Sequence, residues 1–210
     1  MLDFDFDPQM PSWAKRLTVF DLETTGLDLN TSRIVTACVA VIGQNGEIEN
    51  VSEWLLNPGI EIPEAASRVH GITNEIAIER GVEPGPAVSQ IVELLRTLNR
   101  EMPLVAFNAS YDFSILRSEA LRHAIEPLDP MPVVDPLVLD RKLEKYRSGK
   151  KNLATLTAIY KVELADAHNS TADAVAAGQL AQRMAAKYPE LDIDVNDLHD
   201  FQAKWADEWQ

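Results

Sequence analysis

At 210 residues, 46% of them hydrophobic and 25% charged, the chain is long enough for one well-buried domain and has globular composition. A net charge of −14 argues against a protein that coats nucleic acid non-specifically, because that affinity comes mainly from Lys and Arg neutralising phosphates. No apolar run approaches the roughly 20 residues of a membrane helix, and the acidic start MLDFDFDPQM lacks the basic and apolar regions of a secretory signal, so a cytoplasmic protein with no membrane partner is expected.

Three segments are predicted: residues 1–16, with the first dozen loose; a domain over 17–188; and an acidic C-terminal helix or tail over 189–210. The domain opens on LTVFDLETTGLD, a strand over about 17–22, followed by strands over about 33–43 and 47–56. The turn Gln44-Asn45-Gly46 between the last two is a strong hairpin signal. The single cysteine, Cys38, lies in the apolar run IVTACVAVI and reads as a small core residue. Helical periodicity follows near 74–79 and again over 86–98, where Val88, Ile91, Val92, Leu95 and Leu98 form one apolar face. A strand PLVAFN (103–108) runs into a helix over about 110–123, and MPVVD is a fifth strand. Helices are predicted near 136–143, 152–160 and 171–187. Three antiparallel strands followed by alternating helix and strand imply an α/β fold: a mixed five-stranded sheet with helices on both faces.

Charge is unevenly spread. RKLEKYRSGKK, from Arg141 to Lys151, holds six basic residues against one acid, whereas the tail from Glu190 to Gln210 holds seven acids against one Lys. In the tail, Leu198, Phe201, Trp205 and Trp209 recur at spacings of three and four, an apolar stripe expected to pack on the chain's own domain. The alternative for this stripe is a docking helix for a partner protein or for a second copy of the chain.

The first strand carries Asp21 and Glu23 two residues apart, so both carboxylates project to one face. Asp112 opens the helix after the fourth strand, and Asp173 opens the helix that follows His168. Four convergent carboxylates repel one another unless cations sit among them. All-oxygen ligation with a single nearby His favours hard ions, Mg²⁺ or Mn²⁺, over zinc. Two such ions about 3.5–4 Å apart are the usual arrangement for in-line displacement at phosphorus, and a nearby His can take the proton of the attacking water.

FDLETTG, FNASYDFSIL and HNSTADA together resemble the three motifs of the DEDD 3′–5′ exonucleases, in the subclass with His five residues before the last Asp. That subclass includes the proofreading epsilon subunit of bacterial DNA polymerase III, and the resemblance runs from about Leu17 to Lys187. It implies a ribonuclease H-like fold, with Asp21, Glu23, Asp112 and Asp173 as ligands of two divalent cations and His168 as general base. It implies hydrolysis of the phosphodiester at a 3′ end, releasing nucleoside 5′-monophosphates, in proofreading or repair. VHGIT makes His70 a candidate nucleotide contact. Thr24, Thr25 and Asn108 would line the terminal nucleotide's place, with Tyr111 or Phe113 packing on sugar or base. Lys150 and Lys151 would meet the phosphate backbone upstream. Ser170 stands where the family more often has a small apolar residue. Single-stranded DNA is the preferred substrate; RNA 3′-end processing and a catalytically silent polymerase-binding module are the alternatives.

Overall fold

The computed structural model describes residues 10–207. Three long strands lead: β1 (Leu17–Thr24), β2 (Ile34–Ile42) and β3 (Ile48–Leu55), each antiparallel to the one before. The β2–β3 turn closes through Gly46, whose φ of 74° suits a residue without a Cβ. Short helices α1 (Glu64–His70) and α2 (Asn74–Arg80) precede the amphipathic α3 (Pro84–Asn99). Then come β4 (Leu104–Val105), α4 (Ala109–Arg122), β5 (Val133–Val134), α5 (Pro136–Leu143), α6 (Leu153–Tyr160), α7 (Ser170–Lys187) and α8 (Val195–Asp207). The sheet order is β3-β2-β1-β4-β5, with β4 and β5 parallel to β1. The mixed five-stranded α/β sheet expected from the sequence is the fold found.

Alternation along β1 divides the core. Leu17 and Val19 face α7, together with Cys38, Ala40 and Ile42 of β2, whereas Phe20 and Leu22 face α3 and α4 on the other side. Helix α7 lies against β1 and β2 so closely that a Cβ at Gly178 would come within 2.3 Å of Val19 and 2.6 Å of Ile42. Cys38 is buried, and burial pushes its thiol up to about 11, in keeping with a core residue.

Some expectations are corrected. The fourth and fifth strands are two residues each, not the six and five predicted: after β4 Asn108 turns to a left-handed φ of 61° at the N-cap of α4, and after β5 Asp135 and Pro136 begin α5. Helix α1 was not predicted; it buries no residue fully, so its sequence EAASRVH shows no apolar stripe. Residues 10–14 are not loose: Met10 and Trp13 are buried, and the Trp13 indole donates to the Leu191 carbonyl at 2.9 Å. Residues 1–9 of the predicted N-terminal segment, and Trp209 of the C-terminal stripe, lie outside the described residues. Within that stripe Leu198 is fully buried and Trp205 packs partly on the same core, while Phe201 is 42% exposed. Among the described residues no helix is long and apolar enough to cross a membrane.

Candidate active site

The site forms where β1 outruns its neighbour. Pairing with β4 covers only Thr18 and Val19, so the end of β1 has no strand beside it on that edge. The Leu22 N–H on this edge donates instead to Asp112 Oδ1 at 3.1 Å. Asp112, in the first turn of α4 and 4% exposed, is thereby fixed beside the strand that carries Asp21 and Glu23.

Helix α7 brings the remaining groups. Its N-cap Asn169 accepts from the amides of Thr171 at 3.0 Å and Ala172 at 3.1 Å. One turn on, Asp173 Oδ2 accepts from the His168 amide at 3.2 Å, and so holds the loop that presents the imidazole. His168 has a left-handed φ of 68° and an exposed side chain. Glu23, His168 and Asp173 each offer a ligand atom, all within 4.8 Å of one another. Ser170, the departure from the commoner motif, is buried and its hydroxyl accepts from Thr36 at 3.2 Å, so the polar side chain is satisfied.

All four carboxylates hold their protons more tightly than free acids do. Burial pushes Asp21 well up, reinforced by Asp112, Asp173 and Glu23. Burial, then Asp173, takes Glu23 up to about 7. Burial raises Asp112 strongly against the opposing Leu22 hydrogen bond, and raises Asp173 against the opposing His168. The Oδ1 of Asp173 is buried without a partner. Crowded carboxylates with an unsatisfied oxygen and no neighbouring Lys or Arg among the causes of these shifts have the donor chemistry for hard divalent cations.

Beside the carboxylates lies a cavity of about 520 Å³ between the end of β1 and α1, lined by Leu22, Glu23, Thr24, Thr25, Gly26, Leu27, Val69, His70 and Tyr111, among others. The hydroxyls of Thr24 and Thr25 are committed to the loop after β1. Tyr111 donates to the Gly26 carbonyl at 2.6 Å and lies 2.7 Å from Thr24 Oγ1, and Thr25 Oγ1 accepts from the Arg33 amide at 2.9 Å. His70 Nδ1 accepts from the Ile72 amide at 3.2 Å, so Nε2, buried at the cavity wall, carries the proton. Burial pushes the His70 pKa down against an opposing backbone hydrogen bond to Thr24, and His168 adds to the shift.

Other predicted contacts are placed elsewhere. Phe113 packs into the core with its ring 5.3 Å from that of Phe20, away from the cavity lining. Asn108 is exposed at the start of α4. Lys151 is only 18% exposed: its ammonium lies 3.3 Å from Asp140 and donates to the Glu144 carbonyl at 2.9 Å. Asp140, completely buried, also takes Arg147. Lys150 alone of this pair is exposed. Glu144 bonds Lys187 and Tyr188, at the end of α7 opposite Asp173, which anchors one end of the basic run far from the carboxylates. The missed residue is Asp135, a buried acid at the end of β5 that the sequence shows only as the last residue of the strand MPVVD.

The family profile described as Exonuclease matches residues 18–181. The PolC-type DNA polymerase III of Halalkalibacterium halodurans is 30% identical over 192 residues, 91% of this chain and 13% of that protein. The PolC-type enzyme of Lacticaseibacillus paracasei is 30% identical over 185 residues, 87% of this chain and 12% of that protein. E. coli exonuclease I in complex with a dA16 oligonucleotide has the same fold, with a TM-score of 0.72 at 18% identity over 85% of this chain and 42% of that one. The chain thus spans less than half of each of these proteins. With the profile running from β1 into α7 across all four carboxylates and His168, the chain belongs to the exonuclease family.

Proposed function

We propose that the chain hydrolyses the terminal phosphodiester at the 3′ end of single-stranded DNA, releasing nucleoside 5′-monophosphates, with two divalent cations, Mg²⁺ or Mn²⁺, held by Asp21, Glu23, Asp112 and Asp173. The observation that carries this reading is the cluster of Glu23, His168 and Asp173, whose ligand atoms lie within 4.8 Å of one another, beside an Asp21 that feels the charges of Asp112, Asp173 and Glu23. Bound divalent ions supply the positive charge that neutralises a phosphodiester and makes water acidic enough to ionise near neutral pH.

The residues divide the remaining work. His168, exposed beside Glu23 and Asp173, receives the proton of the attacking water. The cavity beside β1 accepts the terminal nucleotide: Leu27, 86% exposed at its lining, and Val69 offer apolar surface to the flat face of any base. His70, in the cavity wall, is the candidate donor to a sugar or phosphate oxygen of the terminal nucleotide. Thr24, Thr25 and Tyr111 shape the cavity wall, with their hydroxyls holding the loop, and Lys150 is an exposed cation of the basic run placed to meet the upstream backbone. DNA is preferred over RNA because the similar proteins are DNA polymerases and an exonuclease bound to a deoxyoligonucleotide. The PolC similarity favours work alongside a polymerase, in proofreading or repair.

The test is degradation of 5′-labelled single-stranded DNA and RNA with Mg²⁺, Mn²⁺ or EDTA. A ladder shortening from the 3′ end, abolished by EDTA and by Asp21→Ala, is expected, with DNA cut faster. His168→Ala should retain cation binding while its rate falls by about 10²–10⁴-fold. No cleavage of either strand with either metal would leave the silent binding module as the better reading.

A further inference from the structure

Helix α4 begins at a residue ill suited to start one. Asn108 is left-handed (φ 61°, ψ 46°) and its side chain makes no capping bond. The cap comes from another element. Asp135, 7% exposed at the end of β5, accepts from the Ala109 amide through Oδ2 at 2.9 Å and from the Asn108 amide through Oδ1 at 3.0 Å. The same Oδ1 accepts from the Leu137 amide at 2.9 Å, so one carboxylate closes the N-termini of both α4 and α5. Its own backbone is pinned as well: the Asp135 N–H donates to Gln202 Oε1 at 2.7 Å, and Gln202 Nε2 donates to the Val133 carbonyl at 3.0 Å.

We infer that Asp135 is a positioning residue for Asp112. Asp112 lies three positions after Ala109, less than one helical turn, so displacement of the first amide carries over to the carboxylate. The Asp112 to Leu22 hydrogen bond at 3.1 Å is the contact that such a displacement breaks. Asp135 therefore fixes the distance between the α4 and β1 carboxylates without touching the reacting atoms, and its function depends on the reading of Asp112 as a cation ligand.

Asp135→Asn tests this with almost no change in volume. Oδ1 serves two amides and Oδ2 one, so the introduced NH₂ settles against Ala109, and the first turn of α4 loses its cap. With Asp112 displaced, the half-saturating Mn²⁺ concentration, read by electron paramagnetic resonance of the free ion, rises about 10-fold. The kcat on single-stranded DNA falls by about 10–100-fold while KM stays within about 3-fold. Leu95→Ala, a core truncation in α3, is the control: it lowers the melting temperature without moving Mn²⁺ binding. Wild-type Mn²⁺ affinity and kcat in Asp135→Asn would overturn the assignment. Wild-type protein that binds no Mn²⁺ would overturn the cation reading instead, and the kcat comparison would then decide the role of Asp135 alone. Should the variant not fold, hydrogen exchange of the wild type decides: Asn108 and Ala109 amides as protected as those of β1 support the cap, and loop-like exchange rates refute it.

Discussion

Glu23 holds its proton up to about 7 against an ordinary value near 4.5, because burial and Asp173 both disfavour its charge, and the sign of that shift determines how the metal-free protein responds to pH. Between those values the folded chain binds more protons than the unfolded one, so stability falls as pH rises through the window. Asp21, Asp112 and Asp173 shift in the same direction. In EDTA the melting temperature should therefore drop from pH 5 to pH 8. A divalent cation, which favours the ionised carboxylates, should raise it more at pH 8 than at pH 5. An equal rise at both would contradict cation binding by these four groups. The basic run separates in the same residue-by-residue way. Lys151→Glu sets a carboxylate against buried Asp140 and should cost about 1–3 kcal/mol in urea unfolding, whereas exposed Lys150→Glu should stay within about 0.5 kcal/mol. Asp21 and Glu23 were legible because strand periodicity alone puts them on one face. The commitments of Lys151 and Asp135 were not, because each is settled by partners that only the folded chain brings near.

At the scale of elements, α7 seats Asp173 by lying flush on the sheet. Gly178→Ala would ordinarily favour a helix by about 1 kcal/mol. Here the added methyl meets Val19 and Ile42, so the substitution should destabilise the protein by about 1–3 kcal/mol, read by calorimetry. The hairpin and the long amphipathic α3 were readable because their signals are local: an Asn-Gly turn and a repeated apolar face. The early stop of β4 was not, because PLVAFN carries strand-like residues to its end, and the left-handed Asn108 that stops it is held by Asp135 from another strand. That same stop frees the Leu22 amide for Asp112, so the feature hardest to see in the sequence is the one that gives the site its shape.

At the scale of the whole molecule, the two ends of the described chain meet. Trp13 bonds Leu191, Leu198 is buried in the same core as α7, and Gln182 donates to the Ala14 and Gly43 carbonyls at 3.0 and 2.8 Å. Truncation after Pro189 removes Leu191 and Leu198 from that core. It should lower the melting temperature well below that of the full chain; unchanged melting would show that α8 contributes nothing to the core. The tail does a second thing that its acidity and apolar stripe did not reveal. Its His199 and Gln202 side chains bind the backbone of β5: the Val133 amide donates to His199 Nδ1 at 3.0 Å, and Gln202 takes the Asp135 amide and gives to the Val133 carbonyl. One margin of the sheet is thus sealed by side chains standing in for a sixth strand, while the other is β3, where among the described residues the Val82 amide donates to the Leu55 carbonyl at 2.9 Å and Ile48 and Val51 are about half exposed. Among the described residues, the margin left for strand addition is consequently β3 short of its Leu55 end, and loss of α8 would uncover the second margin at β5.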